Sequence, residues 1–141
     1  MNEPTMGFFY RSKSPKENVD RISWNLLTSE QEVDEVVLAS NGNPQVILKH
    51  SPRCGTSFFV KNGLDSIKKE ESSNADFHLV DVIRNRSVSM YLAEKLGIRH
   101  ESPQAFVLKE GEVSWHGSHH RVNEARILEA VNGGENFSIE N

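Results

Sequence analysis

Gln45-Val46-Ile47-Leu48-Lys49-His50-Ser51-Pro52-Arg53-Cys54-Gly55-Thr56-Ser57 opens on an apolar, β-branched run and carries the only cysteine of the chain. Unbroken apolar character over Val46–Leu48 fits a strand buried on both faces of a sheet. His50 to Gly55 reads as a loop. The pattern beyond it predicts a helix that starts at Cys54 or Gly55 and runs toward Lys69, with Val60, Leu64 and Ile67 facing inward. Gly63 weakens that helix by about 1 kcal/mol relative to Ala. A thiol that opens a helix sits beside backbone N–H groups with no intrahelical partner and at the positive end of the helix dipole. Both favour thiolate over thiol, and the thiolate is the species that attacks disulfides. Arg53 adds a neighbouring cation.

Outward from this stretch the pattern alternates. Trp24–Leu27 reads as a first strand. Thr28 and Ser29 are candidate N-caps, with Gln31 and Glu32 each three residues further on, a doubled capping-box signal. Val33, Val36, Val37 and Ser40 mark the inner stripe of the helix that follows, and Asn41-Gly42 ends it. Downstream, Phe77–Val82 reads as a strand and Arg86–Leu96 as a helix that Gly97 terminates at its C′ position. Gln104–Leu108 and Val113–His116 form a hairpin across Lys109–Glu112, and Val122–Val131 is a last helix. The order β-α-β-α-β-α-β-β-α implies an α/β fold: a largely parallel sheet covered by helices on both faces, with the hairpin adding an antiparallel edge. Residues 1–22 read as a flexible arm, 23–132 as the domain and 133–141 as a flexible tail.

A chain of 141 residues with 26% charged residues and a formal net charge of -4 fits one globular domain and lacks the basic face of a nucleic-acid binder. A single cysteine permits no intramolecular disulfide. The run Met6–Tyr10 is too short for a signal-peptide core, and no segment approaches the length of a membrane span. A cytoplasmic monomer that binds neither nucleic acid nor membrane is the expectation.

Ser57 stands where a dithiol motif carries its second cysteine. Serine cannot close a disulfide, so the chemistry expected of Cys54 is monothiol; the Ser57 hydroxyl is positioned to hydrogen-bond the sulfur across one helical turn. Pro103, after a helix and a short loop and just before an apolar strand, is a candidate cis peptide. His116-x-x-His119-His120 lacks a fourth ligand, and no metal is expected there. His50 could act as a base or hold the strand end.

Several segments together resemble the monothiol bacilliredoxins of the YtxJ type, thioredoxin-fold proteins of the bacillithiol redox system. They are Trp24-x-x-Leu27-Thr28-Ser29, Lys49-His50-Ser51-x-x-Cys54-x-x-Ser57, Asn85-Arg86-Ser87-Val88-Ser89, His100-Glu101-Ser102-Pro103-Gln104 and Gly111-Glu112-Val113. The similarity spans about Trp24 to Val131. The chain departs from the family at Arg53, where threonine is common, and at Gly55-Thr56, where Pro-Ile is common. The resemblance implies a thioredoxin-like three-layer fold with a mixed central sheet. It implies thiol–disulfide exchange in which Cys54 removes bacillithiol from S-bacillithiolated client proteins. Cys54 and Ser57 would be the catalytic pair, and Arg53, Gly55, Ser102 and Pro103 would bind substrate. Bacillithiol would be the co-substrate with no tightly bound cofactor, and a bacillithiol disulfide reductase a further partner. Arg86 could meet the ligand's carboxylates, but reads first as a solvated arginine.

Two other readings stay open on the sequence. One is a thioredoxin-like protein-binding module with a non-catalytic cysteine. The other is a metal-binding protein that uses the histidine loop.

Overall fold

The computed structural model describes residues 20–133. Most of the expected arm and all but Gly133 of the expected tail lie outside the described residues. The elements are β1 (Trp24–Leu26), α1 (Glu30–Ala39), β2 (Gln45–His50), α2 (Gly55–Asp65), β3 (Asp76–Asp81), α3 (Arg86–Leu96), β4 (Gln104–Lys109), β5 (Glu112–Ser118) and α4 (Glu124–Asn132). Short 3-10 turns lie at Lys69–Glu71 and His119–Arg121.

The strands of the described residues form one five-stranded sheet in the order β1-β3-β2-β4-β5. β1 and β2 both run parallel to β3, whereas β2 with β4 and β4 with β5 are antiparallel. The sheet is therefore mixed, and the antiparallel part begins one strand earlier than the final hairpin. The cause is the path through α3. The chain leaves β3 at Asp81, which pairs with His50, and re-enters β4 at Gln104, which pairs with Lys49. Exit and return lie at the same end of the sheet. The segment 97–103 can span roughly 24 Å when extended, enough to bring the chain back past the ~16 Å of α3.

Side-chain alternation along β2 divides the core. Val46 and Leu48 pack with Val60 and Leu64 of α2 and with Ile127, Ala130 and Val131 of α4. Ile47 packs with Val33 and Val36 of α1 and with Val88 and Leu92 of α3. Three layers result, with the sheet in the middle. Burying each of these Val, Leu and Ile side chains stabilises the fold by about 1.5–3 kcal/mol.

Local differences from the sequence reading have local causes. Ser29 is the N-cap of α1, and its Oγ accepts from the Glu32 amide at 3.1 Å. The Glu32 carboxylate returns to the amide of Thr28 at 2.8 Å, one residue earlier than a standard capping box. α2 stops at Asp65 rather than running toward Lys69. Beyond it Ile67 turns into the core and its carbonyl accepts from the Ile22 amide at 3.0 Å, while Lys68 bridges Arg21. Arg21 and Ile22 thus belong to the domain and not to the arm. α4 starts after Asn123, whose side chain accepts from the Arg126 amide at 3.0 Å, so Val122 precedes the helix and stays in the core. Gly97 takes φ 71°, the left-handed conformation expected of its place after α3.

Candidate active site

β2 delivers the cysteine. Its last residue, His50, pairs with Asp81, and its carbonyl accepts from the Val82 amide at 3.0 Å. Ser51 and Cys54 then close a tight turn, the Cys54 amide donating to the Ser51 carbonyl at 3.1 Å. Cys54 is the N-cap of α2, with extended φ -108° and ψ 124°, and its carbonyl accepts the first helical hydrogen bond from Phe58 at 3.0 Å. Cys54 is half-buried, and its side chain makes no capping hydrogen bond. Arg53 and Gly55 flank it on the surface, and a Cβ at Gly55 would have no heavy atom within 4 Å beyond its chain neighbours and the backbone of its own helix. Cys54 thus stands at the N-terminus of α2, where the first-turn N–H groups have no intrahelical acceptor.

The expected hydrogen bond between Ser57 and Cys54 is absent. Ser57 is fully buried, and its Oγ lies 2.7 Å from His50 Nδ1 while accepting from the Ser51 amide at 3.0 Å. The side chain turns inward and braces the start of the loop, a demand that a sequence motif does not display. His50 is thereby engaged at Nδ1. Burial, and then Lys61, push its pKa down from the ordinary value, against Asp81 and Asp65.

The proline loop arrives at the same end of the sheet. Because Gln104 pairs with Lys49, Ser102–Pro103 lies beside the end of β2 from which the Cys54 loop departs. The Ser102–Pro103 bond is cis. Pro103 is buried, and its carbonyl accepts from the His119 amide at 2.9 Å. The Gln104 side chain donates to the Arg99 carbonyl at 2.9 Å and accepts from the Glu101 amide at 3.3 Å, which fixes the loop from below. Among the described residues the buried Ser102 hydroxyl has no hydrogen-bond partner.

Sequence reasoning missed one group at this end. Lys49 is fully buried, with Nζ 3.1 Å from His100 Nδ1 and 5.6 Å from the centre of the Phe106 ring. Ser89 Oγ lies 3.2 Å from the same His100 nitrogen. Burial pushes the Lys49 pKa down to about 8. The pKa of His100 falls through burial, Lys49 and Arg86. The signal was the two-residue period: Lys49 shares its sheet face with Ile47, and both face the α1/α3 layer. The histidines of 116–120 form no ligand set, because among the described residues no three His, Cys, Asp or Glu side chains converge to hold a metal ion.

Residues 25–127 match the family model of the monothiol bacilliredoxin BrxC. The chain belongs to the monothiol bacilliredoxin family. Family membership and the thioredoxin-type site together make it a thiol–disulfide oxidoreductase. Among solved structures, an oxidoreductase with a thioredoxin fold is 28% identical to this bacilliredoxin, with TM-score 0.66 over 74% of this chain and 90% of that one. Thioredoxin from Fasciola hepatica is 19% identical with TM-score 0.60, covering 76% of this chain and 95% of that one. Thioredoxin from Plasmodium falciparum is 20% identical with TM-score 0.58, covering 76% and 96%. The two thioredoxins show the fold alone.

Proposed function

We propose that this protein removes bacillithiol from S-bacillithiolated client proteins through a mixed disulfide on Cys54. The observation that carries the proposal is the placement of the single cysteine. It is the half-buried N-cap residue of α2, one strand away from the Ser102–Pro103 loop.

The Cys54 thiolate attacks the bacillithiol sulfur of the client's mixed disulfide. The client–bacillithiol S–S bond breaks and a Cys54–bacillithiol S–S bond forms. The client leaves as a thiolate and takes a proton from water, so no net oxidation occurs. A second bacillithiol thiolate then attacks the sulfur carried by Cys54. Bacillithiol disulfide forms, Cys54 returns as thiolate, and a bacillithiol disulfide reductase recycles the product. With no second cysteine in the chain, Cys54 must wait for an external thiol.

The main chain of Ser102 pairs with the extended segment that bears the disulfide, and Pro103 backs it. Gly55 leaves room beside the sulfur, and Arg53 attracts the carboxylates of the small thiol. Ser57 acts as a positioning residue through the loop. Phe58 and Phe59, 58% and 76% exposed on α2, give an apolar surface beside the thiol against which a client can rest. The reaction belongs in the cytoplasm, where thiols are kept reduced. No helix among the described residues is long and apolar enough to cross a membrane.

The test compares one peptide capped on its cysteine with bacillithiol or with glutathione. Faster release of bacillithiol, dependent on Cys54, supports the proposal. Equal rates with the two caps remove its bacillithiol component.

A further inference from the structure

Lys49 stands one residue from the end of β2 with no exposed surface. A buried ammonium is costly without a carboxylate or a full set of acceptors. Among the described residues, Lys49 forms no ion pair. Its Nζ instead donates to His100 Nδ1 at 3.1 Å, under the Phe106 ring of β4. Ser89 of α3 approaches the same nitrogen at 3.2 Å. Four parts of the chain therefore meet at one point: β2, β4, α3 and the segment that leads into Ser102–Pro103.

An apolar side chain of similar length would fill this site with no desolvation cost, and such replacements of buried charge are often neutral or stabilising. A buried amine where an apolar side chain would avoid the desolvation cost is the kind of local inconsistency that marks a working part. The strand that carries Lys49 also carries the loop to Cys54, and His100 lies two residues before Ser102. The contact thus joins the two halves of the site through their bases.

We propose that Lys49 is a positioning residue for disulfide exchange: by donating to His100 it fixes the segment that presents Ser102 and Pro103 to a disulfide at Cys54. The inference rests on Cys54 as nucleophile and on the proline loop as platform; it does not depend on which small thiol is carried. The groups around the contact are His100 itself, Arg86 and Ser89 of α3, and Glu101 beside it; burial first, then Lys49 and Arg86, disfavour a charged His100 against Glu101, and the neutral ring accepts at Nδ1 in the tautomer that carries its proton on Nε2.

The test uses the full chain and four variants: Lys49→Met, His100→Leu, His100→Gln and the double variant Lys49→Met with His100→Leu. Two rates are read: exchange with a peptide capped by bacillithiol or by cysteine, and alkylation of Cys54 by iodoacetamide, which needs no proline loop. Lys49→Met and His100→Leu are each expected to slow exchange by about tenfold or more, the scale of a small misplacement of a reacting group. Alkylation should stay within about twofold, and the double variant should be no slower than the worse single one, because both remove the same contact. His100→Gln keeps an acceptor for the ammonium and should restore most of the rate. Exchange by Lys49→Met within about twofold of the parent overturns the proposal, as does an equal loss of alkylation. Should Lys49→Met fail to fold, the His100→Leu and His100→Gln pair decides the question alone. A parent protein active only on the cysteine-capped peptide sinks the bacillithiol reading, and the variants then decide this inference on that peptide. A parent inert toward both peptides overturns both.

Discussion

Ser57 Oγ lies 2.7 Å from His50 Nδ1, so the serine that takes the place of a second cysteine is tied to the end of β2. Its hydroxyl also accepts from the Ser51 amide at 3.0 Å. The residue three positions after Cys54 therefore holds the shape of the Cys54 loop and makes no hydrogen bond to its sulfur. A monothiol site of this kind depends on an external thiol for its second step and on buried polar contacts for its geometry.

Replacing Ser57 by Ala should destabilise the protein by about 1–3 kcal/mol, because the Ser51 N–H is left without its acceptor. Urea denaturation measures the loss. Mass spectrometry of the folded variant should still find a small-thiol adduct on Cys54. A variant of unchanged stability that no longer accepts the adduct would assign Ser57 to the sulfur itself.

Stability should fall with acid before any carboxylate titrates. His50, His78 and His100 all have pKa values held below the ordinary 6.5, each chiefly by burial. The unfolded chain then takes up protons first as the pH drops, so these groups stabilise the fold above 6.5 and the contribution is lost below it. Thermal midpoints measured from neutral pH downward should decline from about 6.5. His78 is 7% exposed and bonded to Gln45 Oε1 at 2.7 Å, so His78→Gln should flatten that decline. A midpoint unchanged down to the carboxylate range contradicts this account.

Much of this was legible in the sequence. Val46, Ile47 and Leu48 alternate between two cores, but all three are buried, so their run announces a central strand without revealing which face each serves. Cys54 and Pro103 were placed by their neighbours in sequence. The pairing of Gln104 with Lys49, which brings them to one end of the sheet, depends on the chain returning through 97–103. That reversal has no local signature. The roles of Ser57 and Lys49 have no local signature either, because their partners, His50 and His100, are fixed by burial and register.

Gly117 is needed for space. A Cβ there would lie 2.8 Å from the Trp115 indole, and Trp115 is 2% exposed, so the ring has nowhere to move. Gly117→Ala should cost about 1–3 kcal/mol in chemical denaturation. A cost near zero would mean that Trp115 can shift without loss of packing.

Gly55 is the opposite case. Beyond its chain neighbours and the backbone of its own helix, no heavy atom lies within 4 Å of an added Cβ, and it occupies the first turn of α2. Gly55→Ala should raise stability by about 0.4–1 kcal/mol, through restriction of the unfolded chain. Denaturation midpoints decide this, and a destabilised variant would show that the loop needs glycine's backbone freedom.

The most direct measurement follows one sulfur. Reduced protein is mixed with a client carrying a single bacillithiol, quenched with acid, and both partners are weighed and peptide-mapped. The account predicts one bacillithiol on Cys54, a free thiol on the client, and neither change with Cys54→Ser. A client that stays capped beside an unmodified Cys54, or that is uncapped equally fast by Cys54→Ser, would contradict it.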